Sequence, residues 1–297
     1  MARPTLSEAM EQVAADVDRR FDLLLQVPDD ARAPLYRAMR HATIGGGKRL
    51  RPLLVYATAD LFAVNRDCAG RAALALECIH VYSLIHDDLP AMDDDDLRRG
   101  KPTVHKAFDE ATAILAGDSL HALAFEVAAD PATHPDPFVR AELVLDLARA
   151  AGPAGMAGGQ AMDLEAEKAT FDLQTVTRLQ ALKTGALIGA AVEAGAILGR
   201  VPPEGRTGLR GYAQDLGLAF QIADDLLDLE GDEELAGKKL RKDADAGKET
   251  FASLLGPERA RAQCHILVDQ AIAHLHAYGD EADLLRAIAR YVVERDR

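Results

Sequence analysis

Two clusters of aspartate sit in segments that otherwise read as apolar helix, and that pairing constrains the fold more than any other feature of the chain. The first, HDDLPAMDDDDLRRGKP at 86–102, puts six carboxylates within ten positions and follows them at once with Arg98, Arg99 and Lys101. The second, AFQIADDLLD at 219–228, lies inside an apolar run. An acidic block is often only a solvated helix end, but three apolar turns lead into the first cluster, which favours a site. Carboxylates on two apolar helices repel one another unless they are protonated or bridged by cations. A fold that brings them together must also bring cations.

Helical periodicity dominates the rest. Leu, Ala, Glu and Arg fill most segments, and few windows alternate apolar with polar as a half-buried strand would. The pattern predicts an all-α single domain over residues 1–297, with helices at about 5–26, 31–44, 50–64, 68–89, 106–129, 137–151, 154–168, 172–199, 205–231, 250–277 and 281–295. Breakers fall at Gly45-Gly46-Gly47, between Pro131 and Pro137, between Gly199 and Gly205, and at Gly256-Pro257. Gly185, Gly189 and Gly195 interrupt a helical pattern, at about 1 kcal/mol each relative to Ala. Close helix approach or a nearby ligand would justify them.

Charge narrows the partners. A net charge of −14 disfavours nucleic acid and anionic membrane surfaces, both of which reward cations. The cations present are clustered: Lys48, Arg49 and Arg51; Arg98, Arg99 and Lys101; Lys238, Lys239, Arg241 and Lys242. Small basic groups on an acidic chain suggest a compact polyanion held locally. The N-terminal segment lacks an apolar signal-peptide core, and no later run reaches about 18 uncharged apolar residues without glycine, so no membrane span and a cytoplasmic location are expected. Cys68, Cys78 and Cys264 are widely spaced among apolar neighbours, which fits reduced core thiols better than disulfides or a zinc site.

Spacing then places the polar groups. Asp224 and Asp228 are four apart, about 40° around a helix, with Gln221 one turn earlier on the same face. Asp87 and Asp93 are six apart, about 240° in an ideal helix, and Pro90 disfavours continuation, so the helix must end or kink before Asp93 turns back. Oxygen-only ligands without His or Cys favour magnesium over zinc, and magnesium prefers few carboxylates plus phosphate oxygens. The turn GGGKRLRP at 45–52 frees backbone N–H groups beside Lys48 and Arg51, an arrangement suited to a diphosphate, although such turns are common. His80 shares the Asp87 face about 20° away and two turns back; a lone helical histidine is more often a satisfied core group. Lys183-Thr184-Gly185, and Gln160 with Asp163, are further polar groups in apolar helices that could be simple buried hydrogen-bonded pairs.

Together these motifs resemble those of the trans-isoprenyl diphosphate synthases, most closely the bacterial farnesyl diphosphate synthases. GGGKRLRP, DDLPAMD with RRGKPTVH following, GDSL at 117–120, GGQAMD, KTG, FQIADDLLD and a GK…KD…GK segment at 237–248 occur in that family's order over about residues 45–250. The resemblance implies the isoprenoid synthase fold: a bundle of about ten or more helices around a deep apolar cavity, in a homodimer using about three Mg²⁺ ions, for which Mn²⁺ can substitute. It implies metal ligation by Asp87, Asp93 and Asp224 with Asp88 and Asp228 in support. It further implies that Lys48, Arg51, His80 and Arg99 bind the diphosphate of isopentenyl diphosphate, and that Arg98, Lys183 and Lys238 hold that of the allylic substrate. Thr184 and Gln221 would lie beside the developing allylic cation.

The implied activity is a prenyltransferase that extends dimethylallyl and geranyl diphosphates to farnesyl diphosphate by ionisation, condensation and proton loss. Tyr82 and Ser83 lie five and four residues before Asp87, roughly 6–7.5 Å below it along the helix. In the resembling enzymes a bulky aromatic there closes the cavity, so Tyr82 predicts a fifteen-carbon product. A geranylgeranyl diphosphate synthase is the runner-up. A terpene cyclase would not need the Lys48, Arg51 and His80 pocket, and a regulatory subunit would not need both aspartate motifs. The chain departs from the family's usual Lys-x-Thr-Tyr-Pro at Lys248-Glu-Thr-Phe-Ala252, and its end, Glu294-Arg-Asp-Arg297, resembles the family's basic tail.

Overall fold

The computed structural model describes residues 4–230 and 248–294. Its helices, numbered along the chain, are α1 Leu6–Leu24, α2 Ala33–Thr43, α3 Leu50–Leu61, α4 Arg66–Asp87, α5 Val104–Ala107, α6 Glu110–Ala129, α7 Pro137–Ala151, α8 Met156–Ala166, α9 Leu173–Gln180, α10 Ala186–Leu198, α11 Thr207–Glu230, α12 Phe251–Leu255, α13 Pro257–His274 and α14 Asp283–Glu294. A π-helical turn, Ala181–Gly185, joins α9 to α10, and 3₁₀ turns occupy Pro203–Arg206 and His276–Ala282. The all-α expectation holds.

Side-chain caps set many of the starts. Thr5 and Glu8 form a reciprocal capping box at α1, and Asn65, Asp109, Asp136 and Asp172 each accept from a backbone N–H in the first turn of α4, α6, α7 and α9. The most apolar helix, α10, is buried on nearly every face and packs against α3, α4, α7 and α11. A helix apolar all round belongs inside a bundle. Gly195 answers one question from the sequence, because a Cβ there would come within 2.6 Å of Thr58 and Ala59 on α3.

Two expected helices need correction, and one element was not expected. The helix predicted at 106–129 is two, because Phe108 and Asp109 leave helical geometry and Asp109 caps α6. The helix predicted at 250–277 breaks where Gly256 takes a φ of 80° and Pro257 opens α13. Between α4 and α5 a short antiparallel hairpin, β1 Leu97–Arg98 with β2 Lys101–Pro102, was not anticipated. Its turn residues Arg99 and Gly100 both have positive φ, as a tight hairpin turn requires.

By length and hydropathy alone, Arg66–Asp87, Glu110–Ala129 and Leu173–Leu198 could each cross a membrane. In the fold, 67% of the apolar window of the first is buried within the protein. Cys78 and Cys264 are buried and Cys68 half-buried, and none of the three is in a disulfide.

Candidate active site

α4 ends at Asp87, as the Pro90 argument requires, and the chain doubles back so that the Asp93 N–H donates to the Asp87 carbonyl at 2.8 Å. Asp87 faces a cavity of about 400 Å³ lined by Tyr82, Ser83, His86, Met156, Gln160, Leu164, Lys183, Thr184 and Leu187. Its carboxyl is pushed up to about 6, by burial first, with Asp93 and Asp88 adding and Lys183 and Arg98 opposing. Asp88 is turned elsewhere. It is 3% exposed and accepts from Arg98 Nε at 2.9 Å, so it holds the guanidinium rather than lining the cavity. The outer carboxylates are peripheral: Asp96 is exposed and pairs with Lys106 at 2.8 Å.

The glycine turn before α3 builds a second, adjoining cavity of about 370 Å³, lined by Gly47, Lys48, Arg51, His80, Arg99, Phe220, Asp224 and Tyr291 among others. Gly45 and Gly47 have φ of 74° and 80°, which favours glycine at both. At Gly47 the Arg99 guanidinium also occupies the space a Cβ would need, 2.5 Å away. Arg49 is buried and spent on structure: its Nη1 donates to Glu77 Oε1 at 2.6 Å and its Nη2 to Asp18 Oδ1 at 2.7 Å. The basic cluster 48–51 is thus divided, with Arg49 anchoring the turn and Lys48 and Arg51 presented to the cavity.

Arg51 and His80 line both cavities. Arg51 Nε is buried without a hydrogen-bond partner, and burial works against the charge of this guanidinium while Glu77 and Asp224 favour it. Burial and then Arg51 and Arg99 hold His80 well below its ordinary value, so the imidazole is neutral. A neutral ring and an unpartnered buried N–H facing shared space are suited to an anionic oxygen.

The π-helical turn carries Lys183 and Thr184. Such turns recur at functional sites because one extra residue re-aims the side chains. α8 can reach this turn only because Gly159 lacks a side chain: a Cβ would lie 2.2 Å from the Lys183 nitrogen. Asp163 Oδ2 accepts from Lys183 Nζ and from Lys248 Nζ, each at 2.9 Å, and Glu167 holds Lys248 at 3.1 Å. Burial works to raise the Asp163 carboxyl, but the two lysines overcome it and hold it below its ordinary value. Thr184 donates to Gln221 Oε1 at 3.1 Å, and Gln221 in turn donates to Asp225, which also accepts from the Phe251 N–H that starts α12.

With this geometry established, comparison with known proteins is decisive. The sequence matches the polyprenyl synthetase family model over residues 32–289. The chain belongs to the polyprenyl synthetase family. It is 46% identical to the farnesyl diphosphate synthase of Escherichia coli over 89% of this chain and 90% of that one. It is 41% identical to that of Haemophilus influenzae over 97% and 98%. A crystal structure described as an FPP/GFPP synthase from Zymomonas mobilis superposes with a TM-score of 0.89 at 60% identity, covering 97% of this chain and 98% of that one.

In this polyprenyl synthetase, Asp87, Tyr82, Ser83, Lys183 and Thr184 come together in one cavity, and Lys48, Arg99 and Asp224 in the other, with Arg51 and His80 between. Gln221 stands behind Thr184 rather than on either lining, and Asp228, half-buried on α11, lines neither. Lys238 lies outside the described residues. Sequence reasoning assigned no role to Lys248, which shares Asp163 with Lys183, nor to Tyr291 on α14, whose ring lies 5.4 Å from Lys48 Nζ. The departure at 248–252 could have signalled the first; nothing local marks the second.

Proposed function

We propose that this polyprenyl synthetase is a short-chain trans-prenyltransferase that condenses isopentenyl diphosphate with dimethylallyl and then geranyl diphosphate to give farnesyl diphosphate. The observation that carries the reading is the pair of adjoining cavities sharing Arg51 and His80. One is polar and rich in cations; the other is walled by apolar groups below Asp87 and Lys183. A homoallylic diphosphate fits the first, and an allylic diphosphate with its tail fits the second.

The residues present fit divalent magnesium. Magnesium keeps several waters and takes phosphate oxygens beside one or two carboxylates, and among the described residues no three His, Cys, Asp or Glu groups converge. Asp87 is a buried carboxylate at an elevated value with Asp93 beside it, a pair that a cation would relieve. Asp87, Asp93 and Asp224 would hold magnesium, and Asp88 orients Arg98. When bound, the ion supplies charge neutralisation for the departing diphosphate.

The chain's own groups do the rest. Lys183, Lys248 and Arg98 supply fixed positive charge where the allylic diphosphate leaves. Lys48, Arg51 and Arg99 seat the second diphosphate so that its double bond faces the ionising carbon. Thr184, fixed by Gln221, places a hydroxyl dipole beside the cavity, and Met156, Leu164 and Leu187 exclude water that would quench a carbocation. The proton lost after condensation has a ready acceptor in the released diphosphate.

A homodimer belongs to the same proposal; exposed Ile114, Leu115, Phe138 and Leu145 on α6 and α7 support it. The test is incubation of purified protein with isopentenyl and dimethylallyl diphosphates and Mg²⁺, with products identified by mass spectrometry. A fifteen-carbon diphosphate is expected. No prenyl product, or mainly products of twenty carbons or more, overturns the reading.

A further inference from the structure

The cations of the polar cavity come from two loops. Lys48 and Arg51 belong to the glycine turn before α3, whereas Arg99 belongs to the β1–β2 hairpin and lies across Gly46 and Gly47. Neither loop is held by its own backbone. Gly45, Gly47 and Gly100 have φ of 74°, 80° and 75°, and Arg49 and Arg99 take positive φ despite carrying a Cβ, so ordering either loop is costly. Their charges oppose assembly as well, since burial and Arg99 both work against the Arg51 charge while Glu77 and Asp224 favour it.

Two side chains that are not on the cavity lining supply the missing restraint. Asp18, half-buried on α1, accepts from the Gly45 N–H through Oδ2 at 3.0 Å and from Arg49 Nη2 through Oδ1 at 2.7 Å. One carboxylate thus holds the backbone at one end of the turn and a guanidinium at the other. α1 is a firm base for it, because Val17 and Phe21 are fully buried, the Arg49 guanidinium lies 5.9 Å over the Phe21 ring, and Asp22 pairs with Arg40 of α2. From the hairpin, Lys101 Nζ donates to the Ile44 and Gly45 carbonyls at 3.3 and 3.2 Å. Gly45 therefore has its N–H on Asp18 and its carbonyl on Lys101. Lys101 stands opposite Arg98 in the hairpin and two residues from Arg99, so tying it to the turn also keeps Arg99 over the turn.

Resting on the reading of this cavity as the isopentenyl diphosphate site, we propose that Asp18 and Lys101 are positioning residues for that substrate. They clamp the glycine turn through both backbone polar groups of Gly45 and fix Lys48, Arg51 and Arg99 relative to one another. Neither touches the substrate. With the clamp in place the loops are ordered on folding; without it the diphosphate must order them, and that cost is taken from its affinity. Lys101 serves through its N–H donors rather than its charge, so a neutral glutamine, one atom shorter and still carrying two donors, replaces it. Asp18 serves through two acceptor oxygens, so an asparagine, with one, replaces it in part.

The experiment is steady-state kinetics with isopentenyl and dimethylallyl diphosphates and Mg²⁺ on the wild type, Asp18→Ala, Asp18→Asn, Lys101→Met and Lys101→Gln, with the melting temperature of each. Asp18→Ala and Lys101→Met should each raise KM for isopentenyl diphosphate about tenfold, with kcat and the allylic KM changed less than about twofold. Asp18→Asn and Lys101→Gln should raise it only about threefold. In case Asp18→Ala does not fold, the nearly isosteric Asp18→Asn carries the test of that residue. Overall unfolding would lower kcat or move both constants together, so the split separates positioning from a merely structural role. An unchanged isopentenyl diphosphate KM in Asp18→Asn or Lys101→Met, equal rises in both constants, or a Lys101→Gln variant no better than Lys101→Met overturns the clamp while leaving the prenyltransferase reading intact. A wild type that makes no prenyl diphosphate overturns both.

Discussion

At the scale of single residues, the same carboxylate type serves three ends, and its surroundings decide which. Asp87 faces the cavity, Asp88 is consumed by Arg98, and Asp96 is a surface partner of Lys106. Asp87→Ala should therefore lower kcat by about a thousandfold or more, as loss of a transition-state charge partner does, while Asp96→Ala should change it less than about threefold, because an exposed ion pair is worth little. Steady-state kinetics on the two variants checks this, and equal effects would return the acidic run to a solvated helix end. Asp146, away from the site, is pushed up to about 6 by burial, with Glu193 and Glu142 adding against Arg206 and Arg210. Its folded value is raised, so between about pH 4 and 6 the native state binds more protons than the unfolded chain and stability falls as pH rises. The whole penalty is present above pH 6. Asp146→Asn should therefore stabilise the protein by about 1–2 kcal/mol at pH 8 and not at pH 4, as read by urea denaturation at both.

At the scale of elements, function is divided between segments that interrupt regular helix. The positive-φ glycine turn before α3 presents Lys48 and Arg51 to one cavity, and the π-helical turn presents Lys183 to the other. Lys48→Ala should raise KM for isopentenyl diphosphate about tenfold or more with little change in the allylic KM, and Lys183→Ala should show the reverse bias. Identical effects on both constants would refute two separate diphosphate sites. The sequence pattern located both segments but not their geometry. A 3.6-residue periodicity runs through 172–199 with no mark of the π turn, because the extra residue is accommodated by packing of Gly159 and Gly217 against the turn rather than by any local propensity. The hairpin at 97–102 was equally hidden, since two-residue strands are too short to show alternation.

At the scale of the whole molecule, the bundle surrounds two adjoining cavities that carry carboxylates and cations on their walls. Adding Mg²⁺ with inorganic diphosphate should raise the melting temperature by several degrees more than the sum of either alone, because binding to the native state alone stabilises it. Because Asp87 sits at about 6 and must be ionised to meet a cation, that increment should be larger at pH 7.5 than at pH 5.5; a pH-independent increment would remove Asp87 from the ligand set. Excess chelator should abolish the increment. The sequence by itself determined the helical class, nearly every long helix, the turn-back at Asp93 and the residue types at the site, since periodicity, proline and charge spacing are local properties of a chain. Only the tertiary structure decided which charges do structural work and which face the cavities. Arg49 against Glu77, Asp88 against Arg98, Asp163 between Lys183 and Lys248, and His121 behind Tyr82 are all pairings across separate segments of the chain. A side chain's burial and partners depend on how helices pack, and packing is a property of many distant residues at once, which no local spacing records.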